Sequence, residues 1–348
     1  MTALIATAGI TLLLVAWVSL WARRQVAWLK QQPDPYESGV LEKGPDGVEE
    51  LIDCPDGTKL RAVSKGSGPA VVFVHGFTSQ LIQWSLLWSR LSGQGLRLIA
   101  FDMRGHGEST VGRDGMTSKA MAGDIATVLE HFDVRDGVLV GHSLGGFISI
   151  VFLTQLQAVA KARLRGAVLV SAFAGAIMRG PGRWGETTSG STAVLPVSGW
   201  RESVAFAITR LLAWSGILRR LPQSNLAFAL ERGQMGARPS YSAIKFALSV
   251  VSQHDLRCSL PIAKAAYAEN HYPTLKTIEL PCVVVCGDAD TAARPFCSER
   301  LAGEIRGARA VWVKGAGHFV VVEEPEPIAE AIRSLCVVGT SAAADSKA

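Results

Sequence analysis

Nearly unbroken apolar runs of four to six residues recur along the chain at 70–74, 96–101, 137–140, 166–170, 282–285 and 308–313. Short runs of this kind, rich in β-branched residues, predict strands buried on both faces of a parallel sheet. Two more strand candidates, 48–54 and 59–63, flank Pro55-Asp56-Gly57 and predict a hairpin. Between the later strands the apolar positions recur at helical spacing over 80–91, 118–131, 147–160, 296–305 and 327–335. Strand and helix alternating with short connections predict an α/β fold, a doubly wound and mostly parallel sheet with helices on both faces.

The alternation breaks once. Between 172 and about 278 no strand-like run occurs. A stretch rich in Gly, Ser and Arg at 179–191 is followed by helical patterns at 203–218, 239–251 and 260–268. An insertion of about 100 residues is far longer than an ordinary connection. It predicts a helical cap, 173–278, over the carboxyl ends of the strands, with 47–172 and 279–338 forming the core. The tail 339–348 is made of small residues and is expected to be disordered.

The N-terminus follows another pattern. Residues 2–22 contain no charge, and Arg23, Arg24 and Lys30 follow them. At about 1.5 Å per residue in a helix, such a run crosses a hydrocarbon core of about 30 Å. No basic region precedes it, as a cleavable signal peptide would require. Residues 1–24 are therefore expected to be a single-pass transmembrane anchor, and the Pro- and Gly-containing stretch 25–46 a linker. Basic residues after the span place the following domain on the cytoplasmic side.

Composition changes this picture little. With 48% hydrophobic and 19% charged residues the chain can fill a large core. The net charge of +5 is spread out, without a basic block carrying interleaved aromatics, so nucleic acid is not an expected partner. None of the six cysteines forms a C-x-x-C pair, and no metal site is expected.

The chemistry concentrates at strand ends. Gly141-His142-Ser143-Leu144-Gly145-Gly146 sits between a predicted strand and a predicted helix, the setting of a nucleophile elbow. Serine needs a general base, itself oriented by an acid. Past the strand 282–285 comes Gly287-Asp288-Ala289-Asp290, and past 308–313 comes Lys314-Gly315-Ala316-Gly317-His318. Ser143, an aspartate and His318 thus follow in the chain order this architecture demands. Asp290 is the preferred acid, and Asp288, placed directly after the glycine, is the alternative. An oxyanion hole needs two backbone N–H donors. Leu144, after the nucleophile, supplies one, and the loop His75-Gly76-Phe77-Thr78 supplies the other, preferably from Phe77. His75 is expected to brace that loop.

His75-Gly76-Phe77, 101–109 with Asp102-Met103-Arg104-Gly105, 141–146, 287–290 and 315–318 resemble, in order, the signature segments of the α/β-hydrolase superfamily. The resemblance covers roughly 46–338 and implies Ser143 as nucleophile, His318 as base and Asp290 as acid. It implies a structural turn at 102–105. Epoxide hydrolases and haloalkane dehalogenases of the superfamily use an aspartate nucleophile, so serine at 143 disfavours their reactions. Some members carry the acid after the preceding strand, but 171–174 holds no carboxylate. The expected activity is hydrolysis of carboxylic esters, with a small lipid-like substrate such as a monoacylglycerol and no cofactor. Thioesterase, C–C bond hydrolase and haloperoxidase-like perhydrolase activities share this triad. A non-catalytic ligand-binding or scaffold protein is the alternative of another class. The oligomeric state is left open.

Overall fold

The computed structural model describes residues 2–36, 39–175 and 225–337. The expected helix 203–218, the stretch 179–191 and the tail 339–348 lie outside the described residues.

Eight strands form one sheet: β1 (Val48–Asp53), β2 (Lys59–Lys65), β3 (Ala70–Val74), β4 (Arg97–Phe101), β5 (Gly137–His142), β6 (Leu164–Val170), β7 (Cys282–Gly287) and β8 (Arg309–Val313). Their spatial order is β1-β2-β4-β3-β5-β6-β7-β8. The β1–β2 hairpin and the β2–β4 pair are antiparallel; every later pair is parallel. The strands adjoining β5 on either side, β3 and β6, place their carboxyl ends beside the end of β5. That crevice is where an open parallel sheet gathers its chemistry.

Alternation along β3 shows why the strands read as continuous apolar runs. Val72 and Val74 face one layer, with Ile125 and Val128 of α3 (Ser118–His131) and Phe147 and Val151 of α4 (Leu144–Gln155). Val71 and Phe73 face the other, with Trp84, Leu87 of α2 (Ser85–Leu91) and Ile328 and Ile332 near the C-terminus. Burying each such side chain contributes about 1.5–3 kcal/mol, so both faces drive the fold.

The helix expected over 147–160 differs in its bounds. It begins directly at Leu144, because the elbow leaves no loop, and it breaks at Leu156. There the chain turns by 102° into α5 (Gln157–Arg163). The described part of the insertion is helical: α6 (Asn225–Gln234), α7 (Tyr241–Gln253) and α8 (Leu256–Ala268). Ser240 caps α7 by accepting the Ala243 N–H, and Asp255 caps α8 through Arg257 N–H. Two more helices flank the last strand, α9 (Pro295–Glu304) before it and α10 (Val320–Glu323) after it, and α11 (Glu326–Val337) follows α10.

At the N-terminus α1 runs Thr2–Leu29, beyond the expected anchor, because good helix formers continue past Arg24 and the first proline is Pro33. Its C-terminal part packs on α6 and buries Ala22 and Leu29. Among the described residues no single helix is long and apolar enough to cross a membrane.

Candidate active site

Ser143 stands between β5 and α4 with φ 52° and ψ −115°, a conformation that L-residues adopt only under constraint. The constraint comes from close packing. A Cβ on Gly145 would lie 2.2 Å from the Val74 carbonyl oxygen and 2.4 Å from that of His75. Only glycine lets the first turn of α4 press against the end of β3. The serine N–H is held by the Val170 carbonyl of the neighbouring strand.

The structure brings Ser143, His318 and Asp290 together. His318 Nδ1 lies 3.0 and 3.1 Å from the two carboxylate oxygens of Asp290. A carboxylate only accepts, so Nδ1 carries the proton and Nε2 is left bare. Ser143 Oγ–H donates to that Nε2 at 2.9 Å. Asp290 is also fixed by the N–H groups of Ala292 and Ala293, each 2.9 Å from Oδ1. Asp288 points elsewhere and accepts the Gly315 N–H at 2.6 Å.

The backbone of His318 is held as firmly as its ring. Its N–H donates to the Gln234 carbonyl in the insertion at 2.7 Å. Its carbonyl accepts the Nε2–H of His142 at 2.9 Å. Sequence reading missed both contacts, since neither partner is near in the chain. Burial alone works against a charged imidazole here, but the charge and hydrogen bond of Asp290, helped by Glu231 and Glu323, raise the His318 pKa above its ordinary 6.5.

The other buried histidines behave oppositely. Burial pushes His75 and His142 down to about 3 and His254 to about 4, and it depresses His106 as well. His75 ties the loop after β3 together, its Nδ1–H donating to Gly76 O and its Nε2 accepting the Met103 N–H at 2.9 Å. Phe77 lies half-buried in this loop, and the Gly76 N–H is held by Gln83 Oε1 at 3.1 Å. The Leu144 N–H, at the start of α4, has no acceptor within its own helix. The rings of His106 and His254 stack 4.4 Å apart and join this loop region to the end of α7.

The 102–105 turn is structural. Asp102 accepts the N–H groups of Leu81 and Glu108, and buried Arg104 pairs with Asp124 and Asp56. All six cysteines are free, and burial raises Cys282 and Cys286 to about 12, far from a reactive thiolate. Among the described residues no group of His, Cys, Asp or Glu is arranged to hold a metal ion.

Comparison with known proteins agrees with this architecture. An epoxide hydrolase of Caballeronia sordidicola is 36% identical over 101 residues, which is 28% of this chain and 31% of that protein. A non-heme haloperoxidase of Rhodococcus erythropolis is 38% identical over 120 residues, 34% of this chain and 44% of that protein. The chain thus spans less than half the length of these curated relatives. An esterase from Exiguobacterium antarcticum shares the fold with a TM-score of 0.69 at 21% identity, over 83% of this chain and 99% of the esterase. Residues 71–331 match the alpha/beta hydrolase family, and the chain belongs to that family.

Proposed function

We propose that this chain is a serine hydrolase that cleaves carboxylic esters through an acyl-enzyme. The observation that carries the proposal is the single imidazole, His318, hydrogen-bonded at one nitrogen to Asp290 and at the other to Ser143 Oγ. In this mechanism Ser143 Oγ attacks the ester carbonyl while His318 Nε2 takes its proton. The charge that develops on the carbonyl oxygen is met by the N–H groups of Phe77 and Leu144, each such donor being worth about 10²–10³ in rate. The tetrahedral intermediate collapses and the alcohol leaves with the proton from His318. Water then repeats the sequence on the acyl-serine, releasing the acid and restoring Ser143. Asp290 holds the tautomer and offsets the imidazolium charge throughout. The epoxide-opening activity named for the Caballeronia relative does not carry over, because position 143 is a serine.

An apolar acyl ester such as a monoacylglycerol is the substrate class we favour. The apolar stretches 204–208 and 211–214 and the charge-free run 2–22 support it, the last as a membrane anchor with the catalytic domain on the cytoplasmic side. The likeness to the Rhodococcus haloperoxidase favours one second reading, transfer of the same acyl group to hydrogen peroxide, read by peracid formation from a carboxylic acid and peroxide.

The test is labelling of the full chain, in detergent, by a fluorescent phosphonate that reacts with activated serines. Heat-sensitive labelling that is lost in Ser143→Ala supports the hydrolase; a folded protein that never labels removes it and favours a binding role. Rates on p-nitrophenyl esters of increasing chain length, beside a thioester series, then read the substrate class.

A further inference from the structure

The insertion meets the histidine loop along a seam of main chain. His318 N–H donates to Gln234 O, and Ala237 N–H donates to Gly315 O at 3.1 Å. Two glycines make this approach possible. A Cβ on Gly236 would lie 1.9 Å from Gly315 O, and one on Gly317 would lie 2.4 Å from Gln234 O. Neither glycine needs an unusual φ; both are needed for space. The seam also reaches the acid, since Thr291 Oγ–H donates to Gly233 O at 2.9 Å.

One side chain closes the seam. Glu323, at the end of α10, accepts the Gly236 N–H on Oε2 at 2.6 Å and the Gly317 N–H on Oε1 at 3.0 Å. One carboxylate therefore bridges the insertion and the residue preceding His318. Burial raises the Glu323 pKa, opposed by these two N–H groups and by Arg232. The Arg232 guanidinium donates to the carbonyls of Gly236 and Ala237 from the other side. Asp290, Glu231, His142 and His318 are the other titratable groups coupled to this corner among the described residues.

We propose that Glu323 is a positioning residue for the hydrolysis, clamping the 234–237 segment of the insertion onto the 315–318 loop so that His318 stands correctly between Ser143 and Asp290. Two N–H groups aimed at one side chain demand two acceptor oxygens, which a carboxylate supplies and an amide does not. Glutamine would satisfy one N–H and turn its own donors on the other. The clamp acts at the residue beside the base, so its loss moves the imidazole, and displacements of about 1 Å cost up to about 100-fold in rate. This inference rests on the hydrolase mechanism proposed above.

The test compares full-length wild type with Glu323→Gln, Glu323→Ala and Glu323→Asp, using p-nitrophenyl ester kinetics, thermal melting and NMR titration of the His318 imidazole. In Glu323→Gln, kcat is expected to fall about 10- to 100-fold with KM little changed. Loss of the neighbouring negative charge also moves the His318 titration and the acid limb of the rate profile to lower pH. Glu323→Asp keeps the charge and restores the limb, with partial recovery of kcat. A wild-type kcat in Glu323→Gln overturns the proposal. So does a loss of activity that merely tracks the melting temperature while the His318 titration stays in place. A wild type that neither labels nor hydrolyses fails the hydrolase mechanism instead. The NMR titration then decides the clamp alone: a moved His318 in Glu323→Gln supports it and an unmoved one ends it.

Discussion

His142 donates its Nε2–H to the carbonyl oxygen of His318 across 2.9 Å, so the residue before the proposed nucleophile holds the backbone of the proposed base. The proton on Nε2 leaves Nδ1 bare, and that atom is buried without a partner among the described residues. A buried acceptor left unpaired costs free energy. In His142→Ala the His318 carbonyl loses this donor. Loss of a buried hydrogen bond costs about 1–3 kcal/mol, so the melting temperature should fall and kcat should drop about 10-fold. Unchanged kinetics on p-nitrophenyl esters would show that Asp290 and Gln234 suffice to place His318.

Asp290 and Asp288 are two residues apart, and their contacts separate them. Asp290→Asn keeps the shape but presents donors to His318 Nδ1, favouring the wrong tautomer, and a loss of about 10⁴ in kcat is expected. Asp288→Asn still offers an oxygen to the Gly315 N–H and should stay close to wild type. Steady-state rates for the pair decide the matter, and the reverse pattern would reassign the acid.

The oxyanion loop has its own brace. Gln83 Oε1 accepts the Gly76 N–H, fixing the residue before Phe77. Gln83→Leu fills similar space but leaves that N–H without an acceptor in a buried site. The expected result is a fall in kcat of about 10-fold, below the loss from deleting a whole oxyanion donor, with no change in the pH profile. A shifted profile would mean that the substitution disturbs His318.

These braces mark where the sequence stops being readable. The strands were legible because each is a short apolar run, and the triad because each member follows such a run in a glycine-rich loop. The 102–105 turn was recognisable as structural, and Arg104 is consumed by Asp56 and Asp124. Asp290 is preferred from the sequence with Asp288 as the alternative, both lying in one turn, and side-chain direction separates them. Gln234, His142 and Glu323 left no signal. Their contacts are hydrogen bonds to the backbone of the histidine loop, one made by a carbonyl and two by side chains, most of them between segments far apart in the chain, and these follow no local period. The stacked pair His106 and His254 is invisible for the same reason.

The histidines predict two opposite pH dependences. His318 must be neutral to accept the serine proton, and Asp290 raises its pKa against the effect of burial. The acid limb of kcat/KM should therefore have its midpoint above the ordinary imidazole value of 6.5. For stability the depressed histidines act the other way. The unfolded chain protonates them near 6.5, whereas the folded chain holds His75 and His142 neutral down to about 3. Their contribution is intact above 6.5 and is lost as the pH falls towards about 3, by up to about 1.4 kcal/mol per pH unit for each histidine. His318, with its raised pKa, gives the opposite slope, losing its contribution as the pH rises through its folded value. Melting temperatures should fall steadily from pH 7 to 5, and a flat profile would show that the buried histidines take up protons in the folded state.

The proposed anchor can be removed without undoing the rest of the N-terminal docking. Leu13 and Trp17 are 73% and 65% exposed, and Ala22 is buried in the core. Beyond residue 24, Leu29 stays buried, Lys30 lies over the Tyr241 ring, and Asp34 Oδ2 accepts the Ser242 N–H at 2.8 Å. Tyr36 O–H donates to the Val322 carbonyl, beside the clamp residue Glu323. Deleting residues 1–24 therefore takes away the charge-free run and leaves the contacts that tie the linker to α7 and α10. The truncated chain should move from the membrane to the soluble fraction and keep its rate on short p-nitrophenyl esters. Its rate on long-chain esters presented in vesicles should fall, because the enzyme no longer concentrates at the lipid surface. Continued sedimentation with membranes would place the tether elsewhere in the chain.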